Sequence, residues 1–143
     1  MARGGPATVG PFPGSARLKR RRLITPLFDR DNREVRTAAV GTIRLLYRFA
    51  PRADTGTDSP VQIGFAVPTR IKRATERNLI KRHMRAGFQS HATRFHGIAV
   101  PGDETLTIMA IFRGSRFDSG VAIDAHEAFN AVIDSIRGRR GDN

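Results

Sequence analysis

Two stretches of the chain alternate apolar and polar positions with a period of two. In Thr42–Phe49, the residues Ile43, Leu45, Tyr47 and Phe49 share one face, while Arg44, Leu46 and Arg48 share the other. Val61–Val67 likewise collects Val61, Ile63, Phe65 and Val67 on one side. Successive side chains of a strand point to opposite faces, so both stretches read as strands with one face on a core. Pro51–Pro60, rich in Asp, Thr and Gly, reads as a solvated loop between them. The two strands are therefore expected to pair as an antiparallel hairpin with a long connection. Leu106–Phe112 is almost wholly apolar, as a strand buried on both faces would be. Val35–Gly41 has low helix propensity and leaves room for one extra short strand.

Helical periodicity appears in three places. Lys72–Gln89 is the longest pattern. Ile123–Arg137 sets Ala125, Ala128, Phe129, Val132, Ile133 and Ile136 on one stripe, with Asp124 and Glu127 spaced as an N-terminal capping pair. Earlier, Leu23, Ile24, Leu27 and Phe28 fit one face of a short helix. Pro26 is tolerated there if Thr25 is the N-cap and Pro26 the first helical residue, which predicts a helix ending around Asp31–Arg33. Phe95–Glu104, with Gly97, Pro101 and Gly102, reads as a connector. Met1–Ala16, punctuated by prolines 6, 11 and 13, reads as a flexible arm, and the tail from Gly138 as frayed. The predicted order is αββαβα, which argues for an α+β fold: a two-layer α/β sandwich with a small sheet, forming a single domain over residues 17–137.

Length agrees with one domain, since 143 residues are too few for two comfortable ones. Charge changes the picture more. Lys and Arg number 25 against 13 Asp and Glu, a formal net charge of +12. Only Lys19, Lys72 and Lys81 are lysines; the other 22 cations are arginines, suited to bidentate phosphate contact. A polyanion is the expected partner. Zero cysteines exclude disulfides, thiolate nucleophiles and Cys-based zinc sites. No run approaches the roughly 18 apolar residues of a membrane span. A soluble, cytoplasmic, basic protein is the expectation.

The cations concentrate in one helix. Arg70, Lys72, Arg73, Arg77, Lys81, Arg82 and Arg85 stand against a single acid, Glu76. At roughly 100° per residue, Arg77, Lys81 and Arg85 stack as a row with Asn78 and Arg82 beside it, spanning an arc of about 140°. Leu79, Ile80, His83, Met84 and Gly87 fall on the opposite arc and can dock on the sheet. Like charges one turn apart destabilise an isolated helix by roughly 0.2–0.5 kcal/mol per pair. An unrelieved row makes better physical sense if phosphates complete it. Phe117–Ser135, by contrast, carries Asp118, Asp124, Glu127 and Asp134 and no Lys or Arg, so the last helix is expected to face away from RNA or to shield basic neighbours.

The run Arg77-Asn78-Leu79-Ile80-Lys81-Arg82-His83-Met84-Arg85 resembles the R-N-x-x-K-R-x-x-R signature of the bacterial ribonuclease P protein component. Its lead-in, Gly64-Phe65-Ala66-Val67-Pro68-Thr69-Arg70, resembles the strand and turn before that helix in the family, and Leu27-Phe28 and Leu45-Leu46-Tyr47 match its first helix and first long strand. The likeness spans about Arg17 to Ile136. The chain departs from the family at Ile24, where an aromatic is frequent, at Pro26, at Lys72, at Ala86, where Glu usually stands, and at Thr69-Arg70, where Lys-Lys is common. The resemblance implies a mostly antiparallel sheet with a left-handed βαβ crossover. It also implies a subunit working beside a catalytic RNA that removes the 5′ leader of precursor tRNA. The RNA subunit and substrate phosphates would hold Mg²⁺ and perform the chemistry, so the protein would supply no catalytic residue or metal ligand. Its partners would be the ribonuclease P RNA and precursor tRNA, with no membrane and no protein partner implied. The RNA-binding residues would be Arg70, Arg73, Arg77, Asn78, Lys81, Arg82 and Arg85. Phe28 and Tyr47 would be candidates for stacking on leader bases in a cleft between sheet and first helix; core packing is the competing role for both.

Other chemistries fit less well. Asp29, Asp31, Asp54, Asp58, Asp103, Glu104 and Asp118 lack a recognisable ligand spacing, and His83, His91, His96 and His126 form no H-E-x-x-H pattern. His91 and His96 read as surface residues. No nucleophile elbow unites Ser, His and Asp. A structural RNA-binding protein without linked hydrolysis is the alternative. A basic amphipathic membrane surface is weaker, because the helix's apolar arc is needed for docking on the sheet.

Overall fold

The almost wholly apolar segment takes the middle of the sheet, where both its faces are covered. The computed structural model describes residues 16–56, 58–97 and 102–141, so the proline-rich arm before Ala16 lies outside the described residues. Four strands, β1 (Arg36–Val40), β2 (Ile43–Pro51), β3 (Val61–Ala66) and β4 (Glu104–Phe112), are arranged in the order β1-β2-β4-β3. β1 is the extra strand for which Val35–Gly41 left room. β4 pairs antiparallel with β2, Tyr47 opposite Ile108, and parallel with β3, Ile63 opposite Ile108. The expected hairpin between β2 and β3 is therefore not formed. Each of them has only one strongly apolar face, whereas β4 is apolar on both and separates them. The parallel β3–β4 pair needs a long crossover, supplied by α2 (Ala74–Gln89) and α3 (Ala92–His96).

One sheet face, with Ile43, Leu45, Tyr47, Ile63, Ile108 and Phe112, packs under α2 and α4 (Gly120–Gly141). The other face is covered by the N-terminal segment, whose Leu18, Leu23 and Leu27 bury Leu46, Ala50 and Met109. That segment is α1 (Arg21–Ile24) followed by a 3₁₀ turn over Thr25–Phe28. The helix thus starts in the basic run rather than at Thr25 and stops at Phe28, short of Asp31. Leu23 and Ile24 both donate their N–H to the Arg20 carbonyl, so the first turn closes before the proline. Pro26, lacking an N–H, then opens the tighter turn.

Asp124 does not cap its helix. α4 begins earlier, where the Asp118 carboxylate receives the Gly120 N–H at 2.7 Å. Asp124 instead crosses to the β1–β2 turn, accepting the Thr42 N–H at 2.9 Å and the Thr42 hydroxyl at 3.1 Å. That turn needs Gly41, whose φ is +55° and whose missing side chain leaves space for the carboxylate. α4 also continues past the expected end at Arg137, to Gly141.

A short helix, α3, precedes the expected connector and takes in its first two residues; it buries Phe95 between Phe88 and Phe129, with ring centroids 5.2 and 5.9 Å away. His91, expected at the surface, is only 4% exposed. The side chain of His96 lies outside the described residues. The His91 ring stacks on His126 at 4.3 Å, with Nε2 3.0 Å from the His126 carbonyl and Nδ1 3.2 Å from Arg94 Nη1. Arg94 can only donate and the carbonyl can only accept, which assigns a neutral ring with its proton on Nε2. Burial lowers the His91 pKa below the usual 6.5; the backbone bond to His126 opposes the shift, while the neighbouring charges of His126 and Arg94 reinforce it. Among the described residues no helix is long and apolar enough to cross a membrane.

A histidine held neutral in the fold stabilises it fully above its unfolded pKa, near 6.5, and progressively less as pH falls below that value. Thermal melts from pH 7.5 to pH 5 should show wild-type stability declining, with a shallower decline in His91→Asn. Equal declines would show that His91 does not report on folding.

Candidate nucleic-acid interface

α2 is pinned to the sheet and to α4 by Ile80, Met84, Gly87 and Phe88, all buried. Gly87 sits so close to α4 that an added Cβ would lie 2.7 Å from the Ala125 methyl. At about 100° per residue, Arg77 falls within about 20° of Met84 and Phe88, at the margin of the buried arc; Asn78 and Arg82 lie about 100° and 140° further round. Asn78, Arg82 and Arg73 are exposed, and Lys81 and Arg85 half-buried. The solvent-facing centre of the basic face is thus Asn78–Arg82, flanked by Lys81 and Arg85, with Arg73 at the helix start. The Arg85 guanidinium lies 5.4 Å from the Phe65 ring centroid.

Arg77 is committed elsewhere. Its Nη1 donates to the carbonyls of Ile71 (2.6 Å) and Lys72 (2.9 Å), holding the loop that leads into the helix. Arg70 donates to the Gly114 carbonyl at 2.6 Å, and the lone acid Glu76 receives the Phe117 N–H at 2.8 Å. His83 lies against the Phe117 ring at 4.8 Å. These contacts fasten the loop after β4 to the start of α2. Arg70 and Arg77, expected among the phosphate-binding side chains, each donate from Nη1 to backbone carbonyls and so brace the segments at the start of the helix. The sequence left this unseen because a carbonyl partner has no residue signature.

On the other sheet face, Phe28 is half exposed and lines a groove of about 570 Å³. Leu46, Val35 and Ile111 supply apolar surface there, and the charged lining is two cations, Arg30 and Arg44, against one carboxylate, Asp29. Tyr47 does not share this groove. It is 4% exposed, on the opposite face, with its hydroxyl 3.4 Å from Ser135 Oγ of α4. The alternation of β2 already grouped Tyr47 with Ile43 and Leu45 and put Arg44 and Leu46 on the face that forms the groove. Arg44 is thus a site residue that the strand period could have revealed. Its neighbour Arg48 bonds Glu34 at 3.3 Å and is nearly buried, so it supports the groove rather than lining it.

Asp134 pairs with Arg94 at 3.6 Å, as expected of a helix that shields basic neighbours. Among the described residues no group of three or more His, Asp or Glu side chains is placed to hold a metal ion.

The sequence matches the ribonuclease P family over residues 12–110. No curated protein sequence matches this chain. Solved structures of RNase P proteins share its fold, among them the two that follow. The RNase P protein of Staphylococcus aureus is 16% identical, with a TM-score of 0.54 over 84% of this chain and 94% of that one. The RNase P protein from Thermotoga maritima is 22% identical, with a TM-score of 0.54 over 83% of this chain and 96% of that one.

The two kinds of arginine on α2 separate in a melting experiment. Arg77→Ala should lose about 1–2 kcal/mol of stability, the lower range for charged hydrogen bonds because the group is half exposed. Arg82→Ala should lose less than about 0.5 kcal/mol. Equal losses in thermal melts would contradict the division of roles.

Proposed function

The chain belongs to the ribonuclease P protein family, and we propose that it grips the ribonuclease P RNA with the exposed face of α2 while the groove beside Phe28 receives the 5′ leader of precursor tRNA. Arg73, Asn78, Lys81, Arg82 and Arg85 contact RNA phosphates, and Arg70 and Arg77 keep the helix start in place. The leader groove combines what a single strand requires: an exposed aromatic for stacking and cations for the backbone. Its contribution is binding. By holding substrate and RNA subunit together, the protein promotes Mg²⁺-dependent endonucleolytic removal of the leader, the tRNA 5′-end maturation step.

Mg²⁺ belongs to the RNA subunit and the substrate phosphates in this reading. The protein's acid-poor, cationic surface is chemically suited to phosphate oxygens rather than to a divalent cation. The enzyme is the ribonucleoprotein, and the cytoplasm is its compartment. One observation carries the proposal: on α2 the only acid, Glu76, is bound to the Phe117 backbone, so the helix offers its exposed cations no acid of its own.

Reconstitution with a bacterial ribonuclease P RNA tests it. Addition of the protein at low Mg²⁺ should stimulate leader cleavage; a protein that binds the RNA without stimulating cleavage would be a structural RNA-binding protein instead. Phe28→Ala should weaken binding of precursor tRNA by about 1–3 kcal/mol and leave binding of leaderless tRNA unchanged. Equal weakening of both would remove Phe28 from the leader site.

A further inference from the structure

A second cationic groove lies at the β3 edge, sharing no lining residue with the groove beside Phe28. One wall is the N-terminal segment. Arg17 forms a parallel bridge with Ile63, and Leu18 donates its N–H to the Ile63 carbonyl at 3.0 Å. Leu18 is buried in the core while its neighbours Arg17 and Lys19 stay exposed, so the anchor fixes where those two cations stand. Gly64 lies under this segment, where an added Cβ would meet the Leu18 carbonyl oxygen at 3.4 Å and the movable Met109 Cε at 2.9 Å. The other wall is α2, contributing Lys81 and Arg85, and Phe65 lines the groove with Arg85 over its ring.

The groove encloses about 350 Å³, and its four charged lining residues, Arg17, Lys19, Lys81 and Arg85, are all cations. Four like charges around one concavity repel one another, so a ligand carrying negative charge is favoured there. Phe65 and the planar Arg85 guanidinium add something a bare anion does not need, a surface on which a nucleobase stacks. The volume suits a small moiety and leaves no room for a duplex.

We propose that this groove is a subsite for one unpaired nucleotide of RNA, its phosphate among Arg17, Lys19, Lys81 and Arg85 and its base on the Arg85 guanidinium that Phe65 backs. The assignment rests on the reading of α2 as the RNA-facing helix, since Lys81 and Arg85 serve both. It extends that interface onto the N-terminal segment, making Arg17 and Lys19 RNA contacts outside the signature helix.

The test is fluorescence anisotropy of fluorescein-labelled pentauridylate over a salt series, on the full chain carrying Phe28→Ala throughout so that stacking in the leader groove is removed. Arg17→Ala combined with Lys19→Ala should weaken binding about tenfold and reduce the salt slope by about one. Lys19→Glu should weaken it further, and Phe65→Leu should weaken it about fivefold without changing the slope. A control that removes two exposed cations elsewhere, Arg36→Ala with Arg137→Ala, should change affinity less than about twofold. If the control matches the groove variant, the effect is diffuse charge and the subsite is refuted. Arg82→Ala, titrated against ribonuclease P RNA, tells the two readings apart. Unchanged RNA affinity there, with pentauridylate binding still lost in the Arg17/Lys19 variant, overturns the α2 reading alone. The reverse pattern overturns the subsite alone.

Discussion

A helix lying on a sheet can roll about its axis unless its side chains prevent it, and on α2 they do. Ile80 and Met84 are fully buried, Phe88 joins the aromatic cluster with Phe95 and Phe129, and Gly87 lets α4 come close enough to block rotation. Burial of each large side chain stabilises by roughly 1.5–3 kcal/mol, well above the roughly 0.2–0.5 kcal/mol that each like-charge pair costs. The apolar arc therefore decides the orientation, and the cations take what remains. Asn78 and Arg82 face solvent because Ile80, Met84 and Phe88 cannot.

The acids complete this arrangement by being occupied elsewhere. Asp118 caps α4, Asp124 holds the β1–β2 turn, Asp134 pairs with Arg94, Glu34 with Arg48, Asp54 with Arg22, and Glu76 receives a backbone N–H. Carboxylates spent on turns, caps and nearby arginines do not reach the exposed face of α2. A protein with net charge +12 thereby carries an excess of cations, and in the proposed reading a polyanion supplies the opposing charge.

Local pattern made the elements legible and left their partners hidden. The period-two stretches are strands, the apolar run is the central strand, and the long basic pattern is a helix with its apolar arc inward. Strand order was not legible, because pairing depends on which strand is apolar on both faces, and two strands adjacent along the chain were assigned to each other. Tyr47 shows how a functional expectation went against its own strand period: its phenol reads as wet-ended, yet it reaches Ser135 under α4. Arg77, Asp124 and His91 share another cause. Each engages a backbone carbonyl or N–H group that no residue pattern announces, far along the chain for Asp124 and His91 and five or six residues away for Arg77. The groove beside Phe28 is half legible in the sequence: its aromatic stands out in the family likeness, while its Arg44 wall follows only from the period of β2.

The central claim is that the outward face of α2 meets RNA phosphates. The most direct measurement is the salt dependence of affinity for the ribonuclease P RNA, compared between the wild-type chain and Lys81→Ala and Arg82→Ala. The account predicts weaker binding and a log–log slope flatter by about one unit or less for each lost contact. Slopes that coincide with wild type would contradict it.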